Sequence, residues 1–207
     1  MQKLQKLLLT LILTSLASIA LAESCATGRL ESLSGQVQLH RRGQVSQPTP
    51  GASLCQGDRL VTAAASLAQL SLRDGTRITV GKDSDFTIHH YQINRKKQNI
   101  ALFELAKGAF RSITGAITQR PHRFEVRTAT ATIGVRGTDF WGGYGLTENS
   151  LDVLMLDGRG VYVKNDYGQV ILDQPGLGTT VPDGAAPTPA KAWGEAKKQQ
   201  AFATVTP

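Results

Sequence analysis

Cysteine is almost absent. Cys25 and Cys55 are the only two in 207 residues, too few and too widely spaced for a Cys-x-x-Cys redox pair or a cysteine-rich zinc site. Histidine is scarce as well. His89 and His90 are adjacent, so on a strand they point to opposite faces, and His40 and His122 stand alone. No metal site is expected. After the first two dozen residues no run is apolar enough to cross a membrane. No helical period of useful length occurs before residue 190. The familiar marks of catalysis are missing too. There is no Gly-x-Ser-x-Gly elbow. Asp83-Ser84-Asp85 lacks the further oxygen ligands and closing Glu of a calcium loop and reads as a turn. Asp74-Gly75-Thr76 is not the Asp-Thr-Gly order of aspartic proteases and reads as a hairpin turn. Gly142-Gly143-Tyr144-Gly145 opens no helix, so it is no phosphate loop. The expectation is a chain with no catalytic residues and no cofactor.

What is present begins with a leader. Lys3 and Lys6 precede an apolar run over 7–21, which ends in Ala20-Leu21-Ala22. Basic start, apolar middle and A-x-A site together read as a secretory signal peptide over 1–22. An uncleaved anchor is the alternative, although the run falls short of the ~20 residues needed to span a bilayer. Glu23 and Ser24 before Cys25 do not fit a lipobox. Export to the periplasm favours one disulfide between Cys25 and Cys55. A loop of that length would contribute on the order of 3 kcal/mol by restricting the unfolded chain. The formal charge of +7 becomes +5 once Lys3 and Lys6 leave. That excess suits an anionic partner, either an envelope protein with an acidic surface or an anionic glycan. Nucleic acid is not expected, and a solvated basic surface is the plain alternative.

The remaining chain is a series of short runs between turn signals. GQVQL (35–39), LAQLSL (67–72), TRITV (76–80), FTIHHYQI (86–93), ALFEL (101–105), AFRSI (109–113), RFEV (123–126), LDVLML (151–156), GVYV (160–163) and GQVIL (168–172) read as strands. Asp74-Gly75, 94–98, Thr114-Gly115, Asp157-Gly158 and 166–168 read as turns. An all-β domain is expected over 23–181. Residues 174–190 read as a linker or a wrapping strap, and 182–207 as a Pro-rich linker and tail that ends in either a short helix over 190–203, anchored by Trp193 and Phe202, or a frayed end. Gly194 would weaken that helix by about 1 kcal/mol relative to Ala. There is also an echo: Gly43-Gln44-Val45 and Gly168-Gln169-Val170 each follow an alternating strand, and each is followed by four residues and then Pro-Gly. Two related β-turn-β units at the ends of the domain would explain it, as would reuse of turn chemistry.

The stretch TATATIGVRGTDF, 128–140, is the most distinctive. As a strand, 128–135 would carry Thr128, Thr130, Thr132 and Gly134 on one face and Ala129, Ala131, Ile133 and Val135 on the other. Something bulky would then pack over the two alanines. The apolar parity shifts between Phe124-x-Val126 and this set, which calls for a bulge or bend near Arg127-Thr128. Gly134 and Gly137 bracket Val135-Arg136 and suggest a turn or close backbone approach. Arg136 would project from a fixed position and clamp carboxylates or carbonyls of neighbouring strands, so that Arg136→Ala destabilises the fold.

Here the chain resembles the FecR-type domain of bacterial envelope regulators, whose signature runs roughly T-x-x-A-x-x-G-V-R-G-T-x-F. Thr128, Ala131, Gly134, Val135, Arg136, Gly137, Thr138 and Phe140 match it, and Ala129 stands where a proline is common. Gly35-Gln36-Val37, the block Gly51-Ala52-Ser53-Leu54 with Gly57-Asp58 and Thr62, the hairpin LSLRDGTRITV and Leu105 with Gly108 extend the likeness over about 29–181. The resemblance implies a single rolled or solenoid-like β domain facing the periplasm, used as a binding module in signalling. In the regulators it follows a cytoplasmic anti-sigma segment and a membrane helix. Here a signal peptide takes their place, so the sigma-factor role is not carried over. Gly134, Val135, Arg136, Gly137, Thr138 and Phe140 are expected to be structural first and a binding site second.

One basic feature is left. Arg111, Arg120, Arg123 and Arg127 cluster around a hairpin, with Arg95-Lys96-Lys97 on another. Arg111, Arg123 and Arg127 would share a face if their strands pair, making a patch for an anionic partner; a solvated face is the alternative. The resulting expectation is a non-enzymatic periplasmic module acting as sensor, adaptor or scaffold. The alternative is an envelope glycan- or peptidoglycan-binding protein with hydrolase activity.

Overall fold

The computed structural model describes residues 25, 27–94, 97–119 and 121–207. The expected signal peptide, Arg95, Lys96 and Arg120 lie outside the described residues. Strands follow one another in chain order as β1 (Gly28–Ser34), β2 (Val37–Arg41), β3 (Gln44–Ser46), β4 (Ser53–Leu54), β5 (Arg59–Thr62), β6 (Leu67–Leu72), β7 (Arg77–Val80), β8 (Asp85–Gln92) and β9 (Asn99–Lys107). They continue as β10 (Ala109–Ile113), β11 (His122–Arg127), β12 (Thr132–Val135), β13 (Thr138–Tyr144), β14 (Ser150–Gly158), β15 (Val161–Asn165), β16 (Gly168–Leu172), β17 (Leu177–Pro182) and β18 (Lys191–Ala192). A 3₁₀ turn, η1 (Ala116–Gln119), precedes β11, and one helix, α1 (Glu195–Ala203), follows β18.

The strands form two nine-stranded sheets. The first has the order β18-β17-β14-β13-β10-β7-β6-β1-β4, and the second the order β16-β15-β12-β11-β9-β8-β5-β2-β3. Both run from early strands at one end to late strands at the other. The chain therefore coils forward, passing repeatedly between the sheets, as expected of a rolled β domain. Neighbours pair antiparallel except β9 and β11, which run parallel. The echoed Gly-Gln-Val segments occupy β3 and β16, the two edge strands of the second sheet.

Alternation puts one face of each sheet inward, and the gap is filled chiefly by aromatic rings. Phe86, Phe103 and Phe124 project from the second sheet, Phe110 and Phe140 from the first. They close a ring of five, with neighbouring centroids 5.5, 5.3, 6.4, 5.4 and 5.7 Å apart. All five are essentially fully buried, within the range where tilted and edge-on aromatic pairs add to simple area burial.

The first sheet is also covered outside. Ala109, Trp141 and Leu154 face away from the phenylalanines and meet Trp193, Ala201 and Val205 of the C-terminal segment. Residues 182–207 wrap back onto the domain as a strap and do not lead away as a linker. They add β18 to the first sheet and lay α1 across it. Gly194 is the N-cap, with extended backbone, so it stands outside the helix and its cost as an interior glycine does not arise. Trp193 is buried as expected of an anchor, whereas Phe202 is half-buried with the Arg111 guanidinium over its ring. The Cys25–Cys55 disulfide joins the segment before β1 to the loop after β4. Among the described residues no helix is long and apolar enough to cross a membrane.

Candidate anion-binding cleft

The 128–140 stretch is not one strand. The backbone reverses over 128–131, and β12 starts at Thr132, paired antiparallel with β11. The threonine hydroxyl explains the reversal. Thr128 Oγ1 accepts from the N–H groups of Thr130 and Ala131, at 3.2 and 3.0 Å, and donates to the Ala131 carbonyl at 3.0 Å. A side chain thus satisfies backbone groups that the turn leaves unpaired. The parity shift is absorbed in this turn, a bend and not a bulge; Ala131 is buried as expected, whereas Ala129 sits exposed at the turn's tip with nothing packed over it.

After the turn the signature is largely packing. Val135 and Phe140 are buried. Tyr162 of β15 lies flat against Gly134, where any Cβ would collide with its ring. Gly137 has φ +96°, and a Cβ there would come 2.7 Å from Arg159 Nη2. Thr138 is tied on both sides: its N–H donates to Thr114 Oγ1 at 2.7 Å and its hydroxyl to the Gly160 carbonyl at 2.9 Å.

Arg136 departs from this pattern. Its backbone N–H donates to the Gly160 carbonyl, but its side chain is exposed and makes no hydrogen bond or ion pair among the described residues. The expected clamp on neighbouring strands is not there. β12 ends at Val135, and the turn into β13 carries the guanidinium out to solvent. The other family motifs also serve the fold. Asp58 is fully buried, takes a bidentate contact from Arg41 at 2.7 and 2.6 Å and accepts from the Cys55 N–H. Asp74 caps its own hairpin turn, accepting from the Thr76 and Tyr91 hydroxyls at 2.6 and 2.7 Å.

Arg136 emerges into an open cleft of about 620 Å³. Arg123 of β11 and Arg159 of the β14–β15 turn share its walls with His122, Gln98 and Tyr162, over a floor that includes Phe124 and Val135. Arg159 is held in place, crossing Gly137 and donating to the Thr118 carbonyl at 3.1 Å. His122 Nε2 lies 3.1 Å from the Val135 carbonyl and so carries the proton there. Arg123 pairs with Glu125 at 2.8 Å, and the Tyr162 hydroxyl donates to the same carboxylate at 3.0 Å. Burial works to raise the Glu125 pKa, but the hydrogen bonds from Arg123 and Tyr162 outweigh it and hold the group below the usual carboxylate range. Burial, followed by the Glu125 charge, pushes Tyr162 up to about 12, so its hydroxyl stays a donor at neutral pH. None of the described residues lining the cleft is a carboxylate.

The arginine patch expected around one hairpin does not form. Arg111 lies on β10 in the first sheet and is engaged bidentately by Asp139 at 3.0 and 2.7 Å. Arg123 and Arg127 lie on β11 in the second sheet, so they share no face with Arg111. Arg127 is exposed but does not line the cleft, and Arg120 lies outside the described residues. Among the described members of that patch, only Arg123 lines the cleft. Arg159, Tyr162, Glu125 and Gln98 were not singled out from the sequence; the Asp157-Gly158 turn was legible, but nothing local ties Arg159 to a signature twenty residues earlier. Among the described residues no group of three or more His, Cys, Asp or Glu side chains is placed to hold a metal.

The FecR protein family model matches residues 58–159, which carry Arg123, Arg136 and Arg159. No curated protein matches the sequence significantly. The fold is similar to two crystal structures, each of a protein provisionally described as an anti-sigma factor from Parabacteroides distasonis. One is 20% identical with a TM-score of 0.50, over 64% of this chain and 57% of that one. The other is 18% identical with a TM-score of 0.53, over 70% and 63%. The chain thus matches about three fifths of each neighbour's length, and at these identities the likeness establishes the fold.

Proposed function

Because this chain belongs to the FecR family through its domain at 58–159, we propose that it is a non-enzymatic interaction module of the bacterial envelope, acting as a periplasmic sensor, adaptor or scaffold in signalling. The family match supports a regulatory role, in line with the anti-sigma-type description of the proteins that share the fold. The leader-like start and the Cys25–Cys55 disulfide support export. The observation that carries the reading is the fate of the signature. Its glycines, threonine and phenylalanine serve packing, while Arg136 is left in solvent inside a basic cleft. A structural arginine would be engaged. An arginine held on a rigid frame without a partner suits contact with another molecule. The cleft's described lining residues include no pair of carboxylates of the kind that glycoside hydrolysis uses.

The test is photocrosslinking in cells, with a photoreactive residue replacing Arg136 and a control at Gln44, exposed on the edge strand β3. One dominant protein adduct from position 136, absent from position 44, is the expected result. A reproducible muropeptide or polysaccharide adduct would replace this reading with that of a glycan-binding protein.

A further inference from the structure

The ligand class of the cleft can be narrowed, on the premise that the domain is an interaction module. Among the described residues three guanidiniums border the cleft, from Arg123, Arg136 and Arg159, and Glu125 pairs with the first. Arg159 is anchored through Thr118 and lies across Gly137, so its fork is already oriented and little side-chain freedom is lost on binding. Planar forks around one cavity match carboxylates, which they grip bidentately. The volume of about 620 Å³ is that of a site for a ligand of several groups, not of a lone ion. The floor bears on the same point. Phe124 is buried to 1% exposure, and Tyr162 has one face against Gly134 and the Lys164 ammonium 5.7 Å from its ring centroid. A sugar ring is commonly held by an open aromatic face, and neither ring offers one. The anchored Arg159, the Glu125-paired Arg123 and the exposed Arg136, with the Gln98 amide beside them, fit a peptide with carboxylate side chains.

We propose that this cleft binds an acidic segment of a partner protein, Arg136 meeting it first and Arg159 and Arg123 gripping its carboxylates. Arg123 can serve because its pair with Glu125 is solvent-exposed on the arginine side and open to competition.

The experiment is fluorescence anisotropy of a labelled Glu-Ala repeat peptide with the mature protein at low salt, with the Lys-Ala peptide and an oligogalacturonate as comparison probes. The acidic peptide is expected to bind and the basic one not. Arg136→Glu should weaken binding by about tenfold or more, while Arg127→Glu, on the same sheet but outside the cleft, should stay within about twofold. Arg136→Gln should lie between, and unchanged thermal melting of each variant shows that the fold is intact. Equal losses in Arg127→Glu and Arg136→Glu would mean diffuse charge attraction and overturn the proposal. So would tighter binding of the oligogalacturonate, or no binding of the acidic peptide. If position 136 still crosslinks one protein in cells while the peptide does not bind, the interaction-module reading stands and this inference alone fails.

Discussion

At the scale of single residues, the signature divides into positions that bear the fold and one that does not. Gly134→Ala must displace the Tyr162 ring, and Gly137→Ala must hold an L-residue at φ +96° beside Arg159. Each should cost about 1–3 kcal/mol, read as a lower melting temperature. Arg136→Ala should stay within about 0.5 kcal/mol of wild type, because its exposed side chain makes no hydrogen bond or ion pair among the described residues. That is the reverse of what the Val-Arg-Gly-Thr motif alone suggests. Beside it, Glu125 and Tyr162 set a pH dependence of known sign. Glu125 is depressed in the fold, so its contribution is present above the ordinary carboxylate pKa and is lost as pH falls through its folded value. Tyr162 is raised, so its contribution is present below 10.0 and is lost as pH rises towards about 12. Glu125→Gln should bring the Tyr162 titration down only part of the way, since burial is the larger cause; ultraviolet titration of the phenols reads it directly.

At the scale of elements, the C-terminal segment is the least obvious contributor. EAKKQQAFA consists mostly of good helix formers, but an isolated helix this short would not persist in water. Its packing makes it stable. Lys197 reaches from α1 to Asp152, fully buried on β14, at 2.6 Å, and its ammonium also sits 4.3 Å from the Trp193 ring centroid. Lys197→Ala should cost on the order of 2 kcal/mol, below the ~3–5 kcal/mol of a fully enclosed pair because the lysine keeps some contact with water. Trp193→Ala should cost about 3–5 kcal/mol by opening the outer core of the first sheet. Chemical denaturation of the two variants checks both values. The same cover explains why β13 and β14 do not alternate. With phenylalanines on one side and Trp193 and α1 on the other, apolar residues serve both faces, and TDFWGGY was not legible as a strand.

At the scale of the molecule, the two sheets advance together along one axis, and more than half of the strand pairings join strands that are not consecutive in the chain. The disulfide acts at the end where the coil starts, enclosing β1 to β4 over a separation of 30 residues. Its reduction should lower stability by about 3 kcal/mol, seen as a drop in melting temperature on adding reductant that a Cys25→Ala, Cys55→Ala double variant reproduces without it. The cleft is a product of the same coiling. η1, β11, the end of β12 and the β14–β15 turn meet because β12 pairs with both β11 and β15.

The sequence by itself determined the all-β class, the position of most strands and turns, the cysteine pair and the family signature. Each is written in local alternation, in turn chemistry or in a count. Only the tertiary structure decided which arginines share a site. Arg111 and Arg123 are twelve residues apart in the chain but lie in different sheets, Arg111 already bound to Asp139, while Arg123, Arg136 and Arg159 meet around one cleft. Local pattern assigns a side chain to a face of its own strand. Sheet pairing, set by the burial of the whole core, determines which faces become neighbours and which charge is left facing water.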